Sequence, residues 1–93
     1  MDMTLNTYRT TVDLDVTTRN EMISLLNQQL ADSMDLYSQA KQAHWNVKGM
    51  HFIALHELFD QVAEAGEGIV DTLAERVTAL GADAQGTVRT SAA

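Results

Sequence analysis

The chain has 93 residues, enough for one small domain, and its composition is 45% hydrophobic with no proline and no cysteine. Without cysteine it can form neither a disulfide framework nor a thiolate metal site. Thirteen acidic against six basic side chains give a net charge of −7, a balance that repels nucleic-acid phosphates and attracts cations.

Residues 1–17 carry no helical period and are expected to form an extended arm. The arm lacks a lysine cluster that could grip DNA, and the opening MDMTLNTYRTTVDLD lacks the basic-then-apolar order of a secretory signal. No apolar run of about 18 residues follows that could span a membrane. A cytoplasmic protein is expected.

Thr18-Arg19-Asn20-Glu21 has the form of a capping box, a hydroxyl followed three residues later by a glutamate. Beyond it Ile23, Leu26, Leu30, Met34 and Tyr37 recur at three- and four-residue steps, and His44 continues the stripe. This predicts a first helix over about 18–48, stopped at Gly49. A second helix is predicted over about 52–80. Its stripe is Leu55, Phe59, Val62, Gly66, Ile69, Leu73, Val77 and Leu80, and Gly81 ends it. The remaining ADAQGTVRTSAA reads as an irregular polar tail. The fold class is therefore all-α, two long antiparallel helices. Two helices alone rarely close a core, so the hairpin needs another hairpin or a further pair of helices from a separate chain.

On the second helix, His56, Asp60, Asp71 and Glu75 project from one side, within roughly 100° of one another at 100° per residue. His56/Asp60 and Asp71/Glu75 are i,i+4 pairs, a spacing that lets two side chains share one ion. Asp60 and Asp71 are about 16 Å apart along the axis at 1.5 Å per residue, so one ion cannot use both pairs of one helix. Two copies packed antiparallel, with a two-fold near Ala65 and Gly66, would set one chain's His56/Asp60 against the other's Asp71/Glu75. The same spacing also fits a hydrogen-bonded structural histidine and a solvated acidic face, and spacing alone leaves these open. Glu64 and Glu67 read as surface acids, His51 as a solvent-facing or capping residue at the helix junction, and Trp45 as packed beside His44.

The stretch AHWNVKGMHFIALHELFD, followed by DTLAER, resembles the Dps family, the mini-ferritins known as DNA-binding proteins from starved cells. The resemblance covers about residues 20–87, the family's helices A and B. It implies half of a ferritin-like four-helix bundle, assembled as a homo-oligomer into a hollow shell of about twelve subunits. It further implies a ferroxidase centre at each dimer two-fold, with His44, His56 and Asp60 from one subunit, Asp71 and Glu75 from its neighbour, and Trp45 alongside. The metal implied is iron, oxidised from Fe(II) to Fe(III) by hydrogen peroxide or dioxygen. Zinc, which accepts the same ligands and has no redox states, would be a non-reactive occupant.

Two departures from the family stand out. Its members continue through two more helices, C and D, so a second chain carrying them, or a missing C-terminal half, is expected to complete the bundle. Residues 1–19 carry Asp2, Asp13 and Asp15 against Arg9 and Arg19, a net −1, which argues against DNA binding through the arm. The competing functions are a nucleoid-associated, DNA-protecting protein and a non-catalytic helical hairpin that only oligomerises.

Overall fold

In the computed structural model, residues 7–92 form three helices: α1 (Val16–Asn46), α2 (Phe52–Ala79) and α3 (Val88–Ala92). Residues 1–6 of the expected arm lie outside the described residues. α1 and α2 pack as an antiparallel hairpin, elongated to 55 × 24 × 15 Å.

α1 begins two residues before the expected start because Asp15, not Thr18, caps it. The Asp15 carboxylate accepts the Thr18 backbone N–H at 2.8 Å and the Thr18 hydroxyl at 3.0 Å. These two bonds hold the Asp15 carboxyl below its ordinary 3.8, the backbone N–H contributing most. A carboxyl depressed on folding stabilises the fold above its unfolded pKa and loses that effect as pH falls through the folded one. Asp15→Ala should therefore lower the melting temperature at neutral pH. In a melting series taken into acid, its deficit against the parent should close.

α1 ends at Asn46, two residues short of the expected limit, as Val47 turns extended. Gly49, at φ +102°, carries the chain around into α2. The end of α2 is a Schellman cap. The Gly81 N–H donates to the Thr78 carbonyl at 3.0 Å, and the Ala82 N–H reaches the Val77 carbonyl at 3.3 Å. Gly81 adopts φ +85° there.

The arm runs back along this cap. Thr7 pairs with Ala82 as an isolated antiparallel bridge, the Tyr8 N–H donates to the Gly81 carbonyl, and Thr10 Oγ1 donates to the Ala79 carbonyl at 2.7 Å. A Cβ on Gly81 would come within 2.5 Å of the Tyr8 carbonyl oxygen. Gly81→Ala thus combines a left-handed backbone with a collision against the arm. It should cost about 1–3 kcal/mol, read as a lower urea midpoint together with lost amide protection at Tyr8.

The core lies between the two long helices. Ile23 and Val77 are fully buried against Ala82, with Leu26, Leu80 and Ala84 at its margin; Leu30, Ala31, Ala40 and Ala63 continue it along the hairpin. The apolar stripe expected on α2 divides. Gly66 and Val77 are buried, whereas Leu55, Val62 and Ile69 stay exposed, joined by Leu58. One neighbouring helix covers only one flank of a stripe this wide.

The tail is not irregular throughout. Thr87 caps a single turn of helix, its hydroxyl accepting the Thr90 N–H at 3.2 Å, and α3 packs on α1. Asn27, 1% exposed, ties the intervening loop down. Its Oδ1 accepts the Gln85 N–H at 3.0 Å, and its Nδ2 lies 3.4 Å from the Asp83 carbonyl.

Candidate metal centre

The hairpin brings the last turn of α1 beside the first turns of α2, and there His44 meets His56. His44 Nδ1 lies 2.6 Å from the His56 carbonyl oxygen, and His56 Nδ1 lies 2.9 Å from the His44 carbonyl oxygen. A carbonyl oxygen only accepts, so each Nδ1 must carry its proton and donate. With Nδ1 donating, Nε2 is the nitrogen left to offer a lone pair, the arrangement a metal-ligating histidine needs. The rings stack with centroids 3.7 Å apart and planes 24° from parallel, and Phe52 stacks on His56 at 5.1 Å.

Asp60 follows His56 by one helical turn. Its Oδ1 lies 3.9 Å from His44 Nε2. The same oxygen accepts a 2.9 Å hydrogen bond from Lys41 Nζ, three residues before His44 on α1. That bond, reinforced by the charge of Lys41 and by the two imidazoles, holds the Asp60 carboxyl below the ordinary carboxylate range and outweighs the opposing loss of solvent. The same hydrogen bond raises Lys41. Lys41 is the residue that sequence reasoning missed. The available signal was its place one turn from His44 on the face turned toward α2.

Of the expected ligands, then, His44 stacks on His56 and lies 3.9 Å from Asp60, but the three do not converge as an ion-binding set. Asp71 and Glu75 do not join them. They are exposed, 11 and 15 residues beyond Asp60 on the same continuous helix, which is about 16 and 22 Å along its axis. Among the described residues no three His, Cys, Asp or Glu side chains converge to hold an ion within one chain.

Two neighbouring expectations change, and the solvent-facing alternative for His51 holds. Trp45 is 67% exposed rather than packed, because it sits one residue around α1 from His44, on a side α2 does not cover. It borders a recess with Tyr37, Lys41 and Gln42. Gly66 does not face outward at a two-fold. A Cβ there would touch Tyr37 at 3.6 Å, so this glycine serves the contact with the chain's own α1. Beside it, Ala65 and Gly68 are exposed small residues. His51 is the exposed N-cap residue of α2, and its side chain makes no capping hydrogen bond.

The family model for the ferritin-like domain matches residues 23–93. The chain belongs to the ferritin-like family. Its ferritin-like relatives include the DNA protection during starvation protein of Agrobacterium fabrum, 42% identical over 85 residues, covering 91% of this chain and 52% of that one. The protein of the same name from Halobacterium salinarum is 43% identical over 68 residues, covering 73% and 37%. Among solved structures, DpsC from Streptomyces coelicolor superposes with a TM-score of 0.89 at 37% identity, over 94% of this chain and 51% of that one. Mycobacterium smegmatis Dps does so with a TM-score of 0.85 at 34% identity, over 91% and 51%. The Dps resemblance and the all-α fold expected from the sequence are both borne out. The chain spans about half the length of the solved relatives it matches. No described helix is long and apolar enough to cross a membrane.

Proposed function

We propose that this ferritin-like protein oxidises Fe(II) at a centre shared between two chains and retains the ferric product as mineral inside a hollow homo-oligomeric shell. In this reading His44, His56 and Asp60 of one chain face Asp71 and Glu75 of a second copy, and Trp45 lies beside them. Helices supplied beyond this hairpin complete each bundle. The observation that carries the reading is the reciprocal pair of histidine–carbonyl hydrogen bonds. They leave the Nε2 atoms of both imidazoles free to ligate, that of His44 3.9 Å from a carboxylate held in its charged form.

The chemistry of this donor set suits the substrate. Fe(II) accepts imidazole and carboxylate ligands. Carboxylates favour Fe(III) more than Fe(II), because the extra charge strengthens the attraction, so they ease the loss of an electron. One electron from each of two Fe(II) ions reduces hydrogen peroxide, which takes up two protons and leaves as water; dioxygen is the alternative oxidant. His44 and His56 orient their ligating nitrogens through the backbone, and Asp60 supplies charge.

The test is peroxide-driven iron oxidation by the assembled protein, followed by ferric absorbance. Replacing both His44→Ala and Asp71→Ala should slow it by roughly 100-fold or more, since losing even an outer partner of a ligand commonly costs 10–100-fold. An unchanged rate would refute the site assignment.

The names of the relatives favour a second reading, DNA protection. Against direct binding by the arm stand the net charge of −7 and the docking of residues 7–10 on the end of α2. Retardation of DNA at moderate salt that disappears at high salt would restore that reading.

A further inference from the structure

We propose that Phe52 is a positioning residue of the metal centre: its ring closes the second face of the His56 imidazole and so holds that imidazole in its ligating orientation. The inference rests on the proposed centre and adds to it a residue that itself binds no metal.

The three rings form one stack. The His56 centroid lies 3.7 Å from that of His44 and 5.1 Å from that of Phe52, with planes 24° from parallel in both pairs. A ring as small as imidazole cannot take both neighbours on one face at these distances, so His56 lies between them. The local structure explains why Phe52 is there. It is the first residue of α2, and His56 follows it by four residues. Helical side chains lean toward the N-terminus, so the imidazole leans onto the residue one turn before it. The reversal at Gly49 seats that residue, the Phe52 N–H donating to the Gly49 carbonyl at 3.2 Å. The 2.9 Å bond from His56 Nδ1 to the His44 carbonyl fixes one atom of the ring and leaves the ring free to tilt about it. Rings on both faces remove that freedom. A ligand already held loses less freedom when an ion arrives, and so binds it more tightly. Phe52 is 39% exposed and lies outside the core around Ile23 and Val77, so its ring matters less to the fold than to His56.

Zinc(II), a redox-inert probe, tests this by titration calorimetry on the assembled protein. Phe52→Leu and Phe52→Met keep an apolar side chain that suits a helix and remove the ring; Phe52→Tyr keeps the ring. The first two should bind zinc roughly tenfold more weakly, the lower end of what losing an outer partner of a ligand costs. Their melting temperatures without zinc should stay close to the parent's, and Phe52→Tyr should bind zinc as the parent does. Added to His56→Ala, Phe52→Leu should cause no further loss, because Phe52 acts through that imidazole. A loss that persists on the His56→Ala background, or one that Phe52→Tyr shares, would overturn the inference. So would zinc binding that depends on His44 and His56 yet is unchanged by Phe52→Leu and Phe52→Met, which would leave the centre itself standing. Zinc binding indifferent to His44→Ala and to His56→Ala would instead remove the centre, and the role of Phe52 with it.

Discussion

Two inactive variants should regain iron oxidation when they are assembled together. One carries His44→Ala with His56→Ala, the other Asp71→Asn with Glu75→Gln, and each alone should be nearly inert. The reason lies in the continuity of α2. Its residues 60 and 71 lie on one unbroken helix and are separated by about three turns, so one chain cannot fold its two ligand groups onto one ion. Across a two-fold axis, each ion would take the histidine end of one chain and the acidic end of the other. In a mixed dimer one centre then receives both damaged halves and the other receives both intact halves. Random mixing makes about half the dimers mixed, so the recovered activity should approach about a quarter of the parent's. The measurement is the rate of ferric absorbance after unfolding the two variants together and reassembling them, against each variant treated alone. Recovery to a quarter supports the shared centre. No recovery, with native-sized assemblies formed, would mean that the two groups do not meet across an interface.

What the sequence made legible follows from periodicity. The three- and four-residue recurrence of Ile23, Leu26, Leu30, Met34 and Tyr37, and of Gly66, Ile69, Leu73 and Val77, gives two helices and the faces that join them. Gly49 and Gly81 mark the ends because a left-handed backbone has a strong residue preference. The cap was misplaced from Thr18 to Asp15 because both residues satisfy the same local rule, and only the folded chain decides which carboxyl or hydroxyl reaches the free N–H groups. α3 is too short to carry a period at all. At the centre, the residue types of His44, His56 and Asp60 were readable. Their tautomers were not, since each is set by a carbonyl on the opposite helix. Nor was Lys41, whose partner lies 19 residues away in the chain.

Asn27 is where a polar residue inside an apolar stripe carries the most structural weight. It lies four residues after Ile23 and three before Leu30, on the same face, and it is the one buried polar side chain among the described residues. A buried amide is tolerated when it is hydrogen-bonded, and Asn27 spends both ends of its side chain on the loop after α2. That loop leads to Gly86, where a Cβ would touch Leu30 at 3.5 Å, and then to the α3 turn, where Thr90 Oγ1 donates to the Gln85 carbonyl at 3.0 Å. Asn27 therefore ties the first helix to the loop beyond Ala82, beside the packing of Gly86 on Leu30 and of α3 on α1. Asn27→Ala removes these bonds and leaves a small void beside Leu30, and it should destabilise the protein by about 1–3 kcal/mol. Asn27→Leu refills the void but still lacks the hydrogen bonds, so it should recover only part of the loss. Urea denaturation gives the magnitude. Hydrogen exchange locates it: amides 85–91 should lose protection first, while those of α2 around Ala63 keep theirs. Equal loss along the whole hairpin would show that Asn27 serves general packing and not the attachment of the tail.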